Sequence, residues 1–453
     1  MLCPYTDPEE GTGMGRLIQT GLNAGEEPSF RIVGGEGVYF FLADGRRVID
    51  GSSTGGPLGH AYPDMQDALR RAASAPVVSE GWAWGEREAA ADELVDIAFA
   101  GEHDWVGGVR FFLSGSEAND QALSLAQVLS GRAPFATRER AYHGLTGLSR
   151  DATLQPHWHG GLASHHGGTR ATPWRVAVHQ LPAPVGASYG GDVCVPPLET
   201  RLAGVPEQLA DSAAMIIDYT QGGIYHDADY QDRMAAMARA AGCLWIADEV
   251  VTGLGRSGRW FAFQGGDSRP DIVTLGKPLA GGAAPAGAVV LSKDVMERLK
   301  DKSWQSYSTF RAHPSMVAAV RAYLRVVVRE KLLERTAHLE QVMKRRLGEI
   351  AARHPIVARV DGRGLHWTIE LHGPDWRDWR ADTLEPTLAS RVAERALEAG
   401  VLIGTSGEQT SLFLAPALII SDSELETLLA ALDYGLELPH EAAVEQCING
   451  AIA

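Results

Sequence analysis

The chain has 453 residues, 45% of them hydrophobic and 22% charged, and a formal net charge of −16. That length exceeds one small core and points to two or three subdomains, with the composition of a soluble globular protein. The acidic balance argues against a general nucleic-acid binder, which needs clustered Lys and Arg to neutralise phosphates.

From the N-terminus, MLCPYTDPEEGTGMG lacks a basic region followed by an apolar core, so no signal peptide is expected. No uncharged apolar run is long enough to span a bilayer. A cytoplasmic protein with no membrane partner is the expectation. The four cysteines, Cys3, Cys194, Cys243 and Cys447, have neither metal-ligand nor redox spacing. Gly37–Ser53 reads as a hairpin turning at Asp44-Gly45, and about Met65 to Ala100 as mostly helical. Gly108–Gly115 is a short apolar strand, followed by a helix that Gly131 closes. Ala213–Tyr219 is a strand and Tyr230–Gly242 a helix. Cys243–Val250, Asp271–Gly276 and Ala286–Ser292 are three more strands. Apolar strands separated by helices predict an α/β fold whose sheet is largely parallel and covered on both faces. Beyond His313 the texture changes: long Arg- and Glu-rich helices from Pro314 to about His354, then strand-like pieces and a last helix opened by Ser421 and Glu424 at capping-box spacing. This predicts a smaller α+β domain. There is no internal repeat.

Four places carry possible chemistry. TLGKPLAGG sets Lys277 just past the end of an apolar strand, where an ammonium must be paired or solvated. It is either a surface-loop lysine or an amine held at the mouth of a sheet. IADEVV sets Asp248 and Glu249 at the end of another strand, where ligands bind in α/β sheets; a structural ion pair is the other reading. Ser114-Gly115-Ser116 opens a helix whose free N–H groups and dipole suit a phosphate, or Ser116 is a plain N-cap. Tyr142-His143-Gly144 offers rings to stack on a flat group, or to pack in the core. One cofactor uses all four: pyridoxal 5′-phosphate, whose aldehyde wants a lysine, whose phosphate wants a helix N-terminus and whose pyridine nitrogen wants a carboxylate.

The motifs GGPLGHAYP, SGSEAN, YHG, ADEVVTGLGRSGRWFA, TLGKPLAGGAAPAGAVV, STFRAHPSMVAA and GRGLHWTIEL occur in order. In this the chain resembles the class III aminotransferases, fold-type I pyridoxal-phosphate enzymes, over roughly Phe30 to Leu438. The resemblance implies a mostly parallel seven-stranded-type sheet in a large domain, residues 66–312. The smaller domain would be built from residues 1–65 and 313–453. It implies Lys277 as the Schiff-base lysine and proton shuttle and Asp248 on the pyridinium nitrogen. Val250 and Tyr142 would lie on the two ring faces, with Gly115 and Ser116 at the phosphate. His143 and Glu249 join the cofactor contacts. Thr309 would reach the phosphate of a neighbouring subunit, which makes the active site a homodimer property.

Two departures stand out. Val251 replaces a glutamine that donates to the cofactor's ring oxygen in many members; valine cannot donate. Phe413 falls where glutamate-specific members carry a carboxylate-clamping arginine, and Asp218 stands for the glutamate that can hold that arginine. Together they argue against a standard 2-oxoglutarate-dependent enzyme. Trp82 and Trp84 lie near where the family lines its substrate pocket and would favour a large, flat or cationic substrate; core packing is the other reading. His157, His159, His165 and His166 match no strong zinc signature, and their Gly-rich surroundings read as a substrate-covering loop, so no metal is expected. The leading expectation is a pyridoxal-phosphate aminotransferase moving an amino group between an amine or amino acid and a carbonyl acceptor. The alternatives are a non-transaminating enzyme of the same family (racemase, aminomutase, decarboxylase, or elimination or C–C bond-forming enzyme) and a non-catalytic descendant, which would tolerate loss of Lys277 or Asp248.

Overall fold

The computed structural model describes residues 30–155, 175–184, 195–220, 223–373, 387–407 and 410–438. Near the N-terminus, strands β1 (Ile32–Glu36), β2 (Tyr39–Leu42) and β3 (Arg47–Asp50) form an antiparallel meander. The turn between β2 and β3 is the expected one. Gly45 takes φ +88°, and Asp44 Oδ1 accepts from Arg46 N at 3.0 Å, the local closure an Asx residue provides. The segment Val401–Leu402 adds to β3 in parallel, so segments far apart in sequence share one sheet.

The central sheet has seven strands: β4 (Val106–Phe112), β5 (Phe135–Arg138), β6 (Val178–Leu181), β7 (Ala214–Asp218), β8 (Leu244–Asp248), β9 (Ile272–Leu275) and β10 (Gly287–Ser292). Their order is β4-β10-β9-β8-β7-β5-β6. The β5–β6, β5–β7, β7–β8 and β8–β9 pairs are parallel, and β10 runs antiparallel to both neighbours. Every residue of β7 and β8 is buried, as strands covered on both faces must be. The helix Gly115–Ser130 packs against β9 and β10, burying Ala118, Ala122 and Ala126; small side chains let its axis sit close to the sheet.

The third sheet holds β11 (Val357–Arg363), β12 (His366–Leu371), β14 (Gly404–Thr405) and β15 (Ser411–Leu414), in order β11-β12-β15-β14, all antiparallel. The short parallel strand Val401–Leu402 is β13. Long helices Pro314–Arg329 and Leu332–Arg353 precede it, and Asp422–Leu436 is the last described helix, with the expected capping box between Ser421 and Glu424. The stretch expected to be helical from Met65 is interrupted. One helix spans Pro63–Ala72, a second Gly85–Glu93 runs on as a wider turn to Ala98, and the non-helical link between them carries Trp82 and Trp84.

Candidate active site

The carboxyl ends of β7, β8 and β9 and the start of helix Gly115–Ser130 meet at a cavity of about 520 Å³. Its lining includes Ser116, Tyr142, His143, Asp218, Asp248 and Lys277. Past β9 the chain turns sharply. Gly276 lies so near the helix start that a Cβ there would sit 3.0 Å from Gly115 backbone atoms. Lys277 then takes φ +27°, a backbone state non-glycine residues avoid and functional sites tolerate. The residue is half-buried and lines the cavity. Burial pulls the ammonium pKa down, and the carboxylates of Asp248 and Asp218 pull it back up. The surface-loop reading of Lys277 is therefore excluded.

Asp248 is held by donors from several elements. Its Oδ2 accepts from Asn119 Nδ2 at 2.7 Å and lies 2.7 Å from His143 Nδ1; its Oδ1 accepts from Val250 N at 3.0 Å. His143 Nε2 lies 2.8 Å from Thr137 Oγ1 on β5, and Thr274 Oγ1 on β9 donates to Asn119 Oδ1 at 2.5 Å. Asn119 Nδ2 also donates to His143 O at 2.8 Å. A buried carboxylate needs such a shell. Asn119, Thr137 and Thr274 were not singled out in the sequence. For Asn119 a signal existed, since it lies one helical turn past Ser116 and so shares its face.

At the helix start, Ser114 is the N-cap: its Oγ accepts from Glu117 N at 3.1 Å. The plain-cap role considered for Ser116 belongs to Ser114, and Gly115 and Ser116 begin the first turn beside the cavity. Gly144, at φ +123°, lets the Tyr142–Gly144 loop lie on that turn, because a Cβ there would meet Ser116 Cα at 2.7 Å. A Cβ on Gly115 would press on Val250 Cγ1 at 2.5 Å. Val250 and Val251 line the cavity with Tyr142. The Tyr142 hydroxyl has its pKa raised by burial and then by Asp248.

Other sequence candidates stand elsewhere. Glu249 is buried but faces away from the cavity. It accepts from Thr252 Oγ1 at 2.7 Å and Phe263 N at 2.9 Å, and burial pushes its carboxyl up to about 7. Successive strand residues face opposite sides, so Asp248 and Glu249 cannot both meet one ligand. Thr309 is exposed and outside the cavity lining. Trp82 is 72% exposed, and Trp84 lines a separate groove between helices Pro63–Ala72 and Pro314–Arg329. Phe413 pairs with Thr368 across β15 and β12 and stacks on His366, ring centroids 6.4 Å apart. Among the described residues no group of three or more His, Cys, Asp or Glu could hold a metal; His157, His159, His165 and His166 lie outside the described residues.

The donor set fits pyridoxal 5′-phosphate: an amine at the cavity wall, a carboxylate fixed by several hydrogen-bond partners, an aromatic ring, and a helix start that a glycine keeps open. A lysine cavity at the carboxyl ends of a mostly parallel seven-stranded sheet defines a fold-type I pyridoxal-phosphate enzyme. The chain belongs to the class-III aminotransferases, whose family model matches residues 22–435. It is 29% identical to the taurine–pyruvate aminotransferase of Rhodobacter capsulatus over 89% of this chain and 90% of that one. With the acetylornithine aminotransferase of Streptomyces coelicolor the identity is 31%, over 92% and 93%. Among solved structures it is similar to an S-selective transaminase from Arthrobacter sp., with TM-score 0.85 and 29% identity over 93% and 95% of the two chains. The protein is thus a pyridoxal-phosphate-dependent aminotransferase moving an amino group between amino and carbonyl substrates, and the non-transaminating alternative is not favoured. No described helix is long and apolar enough to cross a membrane.

Proposed function

We propose that Lys277 is the amine that carries the cofactor, with Asp248 at its pyridinium nitrogen and Gly115 and Ser116 at its phosphate. Tyr142 and Val250 flank the ring. The observation that carries this reading is the single cavity shared by Lys277, Asp248 and the helix start. When bound, pyridoxal 5′-phosphate supplies an imine-forming aldehyde and an electron-accepting ring. The Lys277 amine would take a proton from the substrate α-carbon and return it during transfer. Its depressed pKa keeps a larger share of the amine unprotonated for that task. The Asp248 carboxylate keeps a proton on the ring nitrogen, and His143 and Asn119 orient it. His143 is thereby a positioning residue, while Glu249 serves the loop to Phe263.

Thr309, exposed in a single chain, is assigned to the phosphate of a second subunit, which makes the working form a homodimer; a cytoplasmic location accompanies this reading. The acceptor is a carbonyl compound without a second carboxylate. No arginine is among the described cavity-lining residues, and residues 401–420 contain none in sequence. The test is spectroscopic. Purified protein with cofactor should show a visible band that alanine bleaches, with pyruvate released, in the absence of any acceptor. Borohydride should fix the cofactor to the peptide bearing Lys277. A visible band that survives unchanged in Lys277→Ala would refute the assignment.

A further inference from the structure

A second, small cavity shares no described lining residue with the Lys277 site. It holds about 10 Å³, and its lining includes Tyr225, Thr252, Arg256, Ser257, Arg363 and His366. That space takes one water-sized sphere, so phosphate, sulfate and carboxylates are too large for it. Two arginines line it, and no aspartate or glutamate is among its described lining residues.

Arg256 is 1% exposed. Its Nη1 donates to Leu365 O at 3.2 Å and to Pro416 O at 2.5 Å, and its Nη2 to Ser53 O at 3.2 Å. All three acceptors are neutral carbonyls. The buried Arg256 Nε and Ser257 Oγ have no hydrogen-bond partner, and among the described residues neither Arg256 nor Arg363 has an ion-pair partner. Asp50, whose charge reaches Arg256, lies 3.2 Å from His60 Nε2 instead. Glu249 lies behind Thr252, and burial pushes its carboxyl up to about 7, which weakens it as a counter-charge. The Tyr225 hydroxyl already meets His366 Nδ1. The surroundings are electropositive: burial, then Arg256 and Lys277, push the His366 imidazole down to about 3. A water would satisfy the two orphan donors and leave the guanidinium uncompensated, and an unpaired buried charge is strongly destabilising.

We propose that this cavity is a monoatomic-anion site, in which a chloride ion held by Arg256 Nε and Ser257 Oγ, with Arg363 in the wall, supplies the missing counter-charge. The ion secures the junction at which Arg256, just past Asp248 in the chain, grips Leu365 and Pro416 beside the third sheet. It is a structural ligand with no part in amino transfer, and it does not rest on the assignment of Lys277.

Thermal unfolding of halide-free holoenzyme is followed in sodium chloride and in sodium gluconate at equal ionic strength. The midpoint should rise with the logarithm of chloride concentration once the site fills, as for a ligand of the folded state alone, and should lag in gluconate. Ser257→Ala removes one donor to the ion. Its midpoint should begin to rise only at about 10- to 100-fold higher chloride, the range for a hydrogen bond to a charged group. Crystals soaked in sodium bromide give a direct reading, an anomalous peak within hydrogen-bond distance of Arg256 Nε and Ser257 Oγ. Coincident midpoints in chloride and gluconate overturn the proposal, even with a bromide peak, which would then mark binding at crystal concentration only. An unshifted chloride response in Ser257→Ala overturns it, and so does the absence of a bromide peak, which would mark a buried water. If Ser257→Ala does not fold, the wild-type titration and the bromide peak still decide.

Discussion

Asp218 and Asp248 sit side by side at the ends of β7 and β8, yet Asp248 draws donors from a histidine, an asparagine and a backbone amide while, among the described residues, only Thr220 donates to Asp218. Two equivalent sheet positions thus have different surroundings. The difference lies in side chains contributed from outside the two strands, not in the strands themselves.

Replacing Lys277 by alanine should remove the base and the covalent anchor together. Transamination is expected to fall by ~10³-fold or more, with the cofactor then lost on gel filtration. Steady-state rates and the absorbance of the desalted protein check this. Retention of both would remove Lys277 from the mechanism.

Asn119 bridges Asp248, His143 and Thr274. Asn119→Ala strips donors from Asp248 and leaves the Thr274 hydroxyl without its acceptor. Unfolding stability should drop by about 1–3 kcal/mol for buried polar groups left unpaired. A urea midpoint that does not move would show that the network reorganises around the gap.

The pH dependence of stability should carry the signature of Glu249. Its carboxyl rises from 4.5 to about 7 because burial disfavours the charge. A folded-state pKa above the unfolded value means that the stability contribution is full below about pH 4.5 and lost as pH climbs to about 7. The size is roughly 3 kcal/mol. Urea unfolding at several pH values should show this decline in wild type, and Glu249→Gln should flatten it.

A shared active site predicts complementation. Lys277→Ala and Thr309→Ala homodimers should both be impaired. Co-expressed as a mixed dimer, they should regain one intact site, to which one subunit supplies Lys277 and the other supplies Thr309. Rates of the purified heterodimer no better than the two parents would place Thr309 in its own chain's site or in none.

The strands leading to Asp248 and Lys277 could be read because each is a short, mostly apolar run followed by a charged residue. The strands β5 and β6 left no such mark. Each has four residues, and Thr137, Arg138, His179 and Gln180 interrupt their apolar character. The sheet pairs them through backbone bonds, which composition does not record. The turn of Glu249 away from the cavity was available in the alternation of strand side chains. The places of Thr137 and Thr274 in the shell were not, because the order of β5, β8 and β9 alone brings them there. Trp82 and Trp84 illustrate the converse. Both were readable as candidates for substrate contact, and the break between two helices sets them against other surfaces.

The pairing of β3 with Val401–Leu402 has a consequence for biogenesis. As the chain leaves the ribosome, the N-terminal meander emerges with one edge bare, and its partner is made about 350 residues later. Contacts of such long sequence separation form slowly, and an open strand edge invites pairing with other chains. Final assembly of this sheet must therefore wait until β13 has been made. Fragments ending before β13 should collect as aggregates, and early chaperone capture should raise the yield of active protein.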